Sequence, residues 1–131
     1  MATRIGWGNQ GKDYLYYQFS GSWTWTEHIA TIQKVRSFQK ETGNQQIPIV
    51  INLADTGLIP PASFRYLTHV LLNQYPAQSI IIFTGMSRMI HALLKTLTQL
   101  YPAETKHLRL ARDLHHASYI LKYEGYIEKI D

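Results

Sequence analysis

The chain has no cysteine, which excludes a disulfide framework, a thiolate metal site and a cysteine nucleophile. It also has no uninterrupted apolar run approaching a membrane span. Its opening residues, MATRIGWGNQGKD, lack the apolar core of a signal peptide, so the expected location is cytoplasmic. Charge is sparse but not absent. Charged residues make up 17% and hydrophobic ones 45% of the 131 residues, a balance that favours an ordered globular chain over a disordered one. The net charge of +4 is dispersed, with one basic cluster at Lys106 to Arg112. No nucleic-acid partner is expected from so thin a spread. The Gly-x-x-x-x-Gly-Lys pattern of a nucleotide-binding loop is missing too.

What is present organises itself around Pro48–Pro61, PIVINLADTGLIPP. The run from Ile47 to Leu53 is short, apolar and rich in Ile and Val, which suits a strand buried on both faces. Upstream, Thr3–Gly8 and Asp13–Ser20 read as a hairpin around Asn9-Gln10-Gly11-Lys12. Thr24 and Glu27 have capping-box spacing for a helix with the stripe Ile29, Ile32, Val35 and Phe38, stopped at Gly43. A second helix is expected from about Ala62 to Gln74, ended by Tyr75-Pro76.

Ser79–Thr84 is a second apolar strand. The helix after it carries Ile90, Leu93, Leu94, Leu97 and Tyr101 at helical spacing, and ends at Tyr101-Pro102. A short strand at about His107–Leu110 and a helix capped by Asp113 come next, and the tail from Tyr123 either extends that helix or docks separately. Strands alternating with helices imply βαβ units. The expected fold is one α/β domain over residues 1–131. It has a mostly parallel central sheet of about five strands, an N-terminal antiparallel hairpin and about four helices.

This order, with Gly21-Ser22-Trp23-Thr24-Trp25 opening the first helix and Leu58-Ile59-Pro60-Pro61 after the central strand, resembles the STAS-like domains. That family includes the anti-sigma-factor antagonists and the cytoplasmic domains of sulphate transporters. The similarity is closest to a bacterial branch of small single-domain proteins. In the antagonists the strand runs into Asp-Ser-Ser-Gly, where a serine is phosphorylated. Here that motif falls on Pro60-Pro61-Ala62-Ser63, so the acidic residue and both central serines are absent. The resemblance therefore implies a regulatory, non-enzymatic module that binds a protein partner, without that phosphoswitch. The binding residues it points to are Asp55, Thr56, Leu58, Ser63 and Phe64. STAS-like folds are in turn similar to a lipid-binding fold, which extends the expected ligands to lipids by analogy.

The residues add a second expectation. Gly85-Met86-Ser87-Arg88 joins a buried strand to a helix, so free amides and the positive helix end face the sheet's carboxyl edge. Ser87 and Arg88 are candidates for holding a small anion there; the plainer role for Ser87 is a helix cap. Asp55-Thr56-Gly57 matches the triplet of aspartic proteases, which need paired carboxylates on an all-β body. A polar turn ending the strand is the better account. Six histidines lack metal-ligand spacing and are expected at the surface or half-buried, so no metal and no cofactor is expected. Trp7, Trp23, Trp25 and the tyrosines of the second strand are expected mainly in the core, with any exposed remainder offering a homodimer surface.

Overall fold

The computed structural model describes residues 3–44, 46–57 and 80–127. Its elements are β1 (Thr3–Trp7), β2 (Leu15–Gly21), α1 (Trp25–Ile32), α2 (Val35–Thr42), β3 (Ile49–Thr56), β4 (Ile81–Thr84), α3 (Arg88–Leu100), β5 (Leu108–Leu110) and α4 (Leu114–Tyr123). The strands form one sheet in chain order, β1-β2-β3-β4-β5. β1 runs antiparallel to β2, and the other three pairings are parallel. Fold class and the antiparallel edge are thus as expected. No described helix is long and apolar enough to cross a membrane.

Alternation along the strands builds two cores. Leu15, Tyr17 and Phe19 of β2, Ile49 and Ile51 of β3, and Ile81 and Phe83 of β4 point to one face. There they meet Ile32, Val35 and three residues of α3, Ile90, Leu94 and Leu97. Val50 and Ile82 point to the other face, where Ala117 and Leu121 of α4 and Ile127 cover them. Each fully buried side chain of this size contributes about 1.5–3 kcal/mol, so β3 and β4 are anchored from both sides. The tail docks rather than extending α4: Tyr126 N–H donates to the Leu121 carbonyl at 2.8 Å, and Tyr126 and Ile127 join the second core.

Several expectations need correction. The helix read from Thr24 to Gly43 is two helices. Thr24 does cap it, accepting from Glu27 N–H. At Gln33-Lys34, however, the hydrogen bonds tighten to i+3, with Lys34 N–H on Thr31 O and Ser37 N–H on Lys34 O. Thr31 Oγ1 donates back to Glu27 O, a contact that bends helices. The tighter joint lets Ile32 and Val35 both reach the core at 0% exposure. The helix expected at Ala62–Gln74 lies outside the described residues. β3 does not break at Asp55 but continues through Thr56, because Ser20 and Gly21 extend β2 alongside it past a bulge. In the hairpin turn it is Lys12 that adopts positive φ, at 56°, its ammonium paired with Glu41. Asn9 holds that turn through Asp13 N–H.

His28 is not at the surface. It is 3% exposed, sharing a 2.8 Å hydrogen bond with the Tyr17 hydroxyl among the rings of Phe19, Trp23 and Trp25. Burial pushes its imidazole down from 6.5 to about 4 and lifts the Tyr17 phenol above its usual range. The folded state therefore refuses a proton that the unfolded chain accepts below pH 6.5. Stability is complete above that pH and falls as pH drops toward 4. In urea denaturation, His28 by itself should lower the stability by about 2.5 kcal/mol at pH 4.5 relative to pH 7.5. His28→Gln should make the drop between these pH values smaller by about that amount; an equal drop in the variant would show that His28 does not contribute to it.

Candidate functional site

α3 and α4 leave the sheet on opposite faces. α3, which follows β4, packs into the first core, and α4, which follows β5, packs into the second. Adjacent strands whose following helices diverge in this way leave a crevice between their carboxyl ends. A groove of about 310 Å³ lies at that place. Met86, Ser87, Arg88 and His91 form the wall after β4; Leu110, Ala111 and Arg112 form the wall after β5. Ala111 N–H, donating to Phe83 O at 2.8 Å, ties the two walls together at the base.

Local chemistry sets each wall. Ser87 is the N-cap of α3, its Oγ accepting from Ile90 N–H at 3.2 Å, so the plain reading of this serine holds. Arg88 and His91 stand at i and i+3, on one face of the helix and both exposed. The Asp113 carboxylate caps α4 through His116 N–H at 2.8 Å. The His116 ring then accepts from Arg112 N–H at 3.0 Å, which fixes the backbone of the residue on the opposite wall. Two guanidinium side chains, one histidine and the positive end of a 13-residue helix thus border one groove. Met86, Leu110 and Ala111 add apolar lining. Such a site suits a ligand with an anionic head and a short apolar body.

Gly85 makes the turn into this wall possible. Its φ is +72°, and an added Cβ would lie 2.6 Å from Ala54 N and 2.7 Å from Asn52 Oδ1. The chain leaving β4 must therefore pass directly against the end of β3.

Of the residues singled out in the sequence, Ser87 and Arg88 line the groove. Asp55 and Thr56 do not. Asp55 is exposed and accepts from Gln18 Nε2 at 2.9 Å, and Thr56 Oγ1 accepts from Trp23 Nε1 at 2.7 Å. Leu58, Ser63 and Phe64 lie outside the described residues. His91 and Arg112 were missed. Their signals were the i, i+3 spacing from Arg88 and the position of Arg112 at the end of the one basic cluster. Within that cluster Arg109 is committed elsewhere: it pairs with Glu124 through two hydrogen bonds of 2.9 and 3.0 Å and caps the carbonyls of Lys106, before the edge strand, and Leu108, its first residue. Among the described residues no group of three His, Cys, Asp or Glu side chains is placed to hold a metal ion.

Gly85→Ala should destabilise the fold by about 3 kcal/mol, combining left-handed strain with a backbone clash. A loss under about 1 kcal/mol in urea denaturation would mean that the β3 and β4 ends are not in such close approach. No protein-family model matches the chain, and a search of curated proteins finds no matching relative.

Proposed function

We propose that the protein is a non-enzymatic, STAS-like binding module of the cytoplasm with a regulatory role, and that it receives an anionic ligand at the carboxyl edge of its sheet. The observation that carries this reading is the groove between the diverging ends of β4 and β5, bordered by Arg88 and Arg112 on opposite walls. The protein-partner surface expected around Leu58, Ser63 and Phe64 lies outside the described residues, so the groove takes precedence. Binding is favoured over chemistry because Ser87, the one hydroxyl on the rim among the described residues, already serves as a helix cap. Asp55, the carboxylate nearest to a hydrolase motif, is paired with Gln18 away from the groove.

The ligand class comes from the lining. Guanidinium groups prefer planar carboxylates and phosphates, which they hold through two parallel hydrogen bonds. The apolar residues between them offer contact for a ring or short chain. The cations are exposed, so attraction is screened by salt and each arginine contributes modestly.

Phenyl phosphate is a suitable probe. Isothermal titration at low salt should show saturable binding that weakens as salt rises. Arg88→Ala and Arg112→Ala should each weaken it about fivefold, on the scale of a partly exposed charged contact. Arg36→Ala, on the exposed side of α2, should leave it unchanged. Absence of saturation, or an equal loss with Arg36→Ala, would remove the groove as the site.

A further inference from the structure

The groove wall that carries Arg112 is held by a modified helix cap. Just past β5, Ala111 N–H is tied to Phe83 O, and Asp113 begins α4 as its N-cap. Arg112 is the one residue between them. Asp113 Oδ1 accepts from His116 N–H at 2.8 Å, which is the first half of a capping box. In the usual box a Glu or Gln at the later position reaches back to a backbone N–H. Here His116 takes that position, and its ring Nδ1 accepts from Arg112 N–H at 3.0 Å. Among the described residues the Arg112 guanidinium has no ion pair, so its side chain takes its place from that backbone.

A histidine differs from Glu or Gln in this position. An imidazole accepts only through a nitrogen without a proton, so the bond from Arg112 N–H requires a neutral ring with its proton on Nε2. A protonated ring donates from both nitrogens and would face Arg112 N–H with a second donor. The contact then becomes repulsive, and the ring has to turn away. Histidine changes charge between about pH 5 and 8, and His116 is only half-buried. Arg112 and Asp113 precede it, and His115, Tyr119, Tyr123 and Glu124 share the outer side of α4 with it. Arg109 of β5 holds Glu124, while Arg88 and His91 of α3 stand on the opposite wall of the groove. No side chain among these is hydrogen-bonded to the ring; Asp113 meets only the backbone of His116.

We propose that His116 is a positioning residue of the groove and acts as a proton-operated latch: neutral, it fixes Arg112 on its wall; protonated, it releases that wall and weakens anion binding. The inference rests on the groove being the anion site. Its sign runs against simple Coulomb attraction, which would strengthen anion binding as histidines near the groove gain charge. The direction of the pH dependence therefore separates a latch from a mere increase in positive charge.

The test compares the full chain with two variants. His116→Gln keeps an acceptor at every pH, and His116→Ala keeps none. The Arg112 amide proton is followed by NMR from about pH 7.5 to about pH 5.5. In the unmodified chain it should lose its hydrogen-bonded shift along the same curve as the His116 ring signal. In His116→Gln it should stay bonded throughout, and in His116→Ala it should be released at both ends. Benzenesulfonate, whose charge is constant over this range, probes the groove at about 0.15 M salt, where added charge on the ring is screened. At the higher pH the unmodified chain and His116→Gln should bind it equally. At the lower pH the unmodified chain should bind about threefold more weakly than His116→Gln and match His116→Ala. A flat Arg112 signal, an equal titration in His116→Gln, or binding at the lower pH no weaker than that of His116→Gln would each overturn the proposal. No binding of benzenesulfonate by the unmodified chain at the higher pH would remove the anion groove itself, and the control of binding with it, while the amide curve still shows whether His116 holds Arg112.

Discussion

The structure depends on β3 and β4 being apolar on both faces. Ile49, Ile51, Ile81 and Phe83 require cover on one side; Val50 and Ile82 require it on the other. Right-handed crossovers between neighbouring strands that advance in one direction keep their helices on a single face. The crossover from β2 to β3, through α1 and α2, and the one from β4 to β5, through α3, both contribute to the same core. Val50 and Ile82 are then covered by the chain beyond β5. α4 and the docked Tyr126–Ile127 fill that role among the described residues. The crevice between β4 and β5 is a by-product of this demand, since the chain must change faces at that point. The groove is placed by packing before any residue in it is chosen for binding.

The first core has a polar centre. Thr3 and Thr31 hydroxyls meet at 2.7 Å, and Tyr17 meets His28 beside them. Buried polar groups stabilise only when satisfied and cost free energy when they are not. Their benefit here is positional: Thr3 starts β1, and Thr31 and His28 lie on α1, so the pairing fixes the helix against the edge strand. Neutral His28 suits this place because its ring packs among aromatic neighbours, whereas its charged form would be stranded away from water.

Much of this architecture is readable from periodicity. The alternation of Leu15, Tyr17 and Phe19, the two apolar runs, and the spacing of Ile90, Leu94 and Leu97 place β2, β3, β4 and α3 directly. Caps at Thr24, Ser87 and Asp113 are legible because a side-chain oxygen at the first turn has one obvious task. The break at Gln33-Lys34 is not, since neither residue disfavours a helix; it arises from the back-bonded Thr31 and from the two core positions that flank the joint. Burial of His28 is also hidden, because its partner Tyr17 is 11 residues away and on a strand. The groove was half legible. Ser87 and Arg88 come after an apolar strand, but Arg112 becomes their neighbour only once β5 is paired beside β4.

Cover on the second face is also limited by simple dimensions. Five strands spaced about 4.8 Å apart make a sheet roughly 19 Å across, while one helix is about 10 Å wide with its side chains. α4 sits over β3 and β4, where the aliphatic residues are, and cannot also cover β2. The sequence answers this with tyrosines at positions 14 and 16, whose rings shield the sheet while their hydroxyls meet water or neighbouring polar groups. A tyrosine wall standing beside a helix flank of Leu114, Ala117 and Leu121 leaves a gap where the small residues Ala117 and Ser118 face it. Larger residues at those two positions would close the gap and bury more apolar surface. The cavity thus persists at some cost in packing.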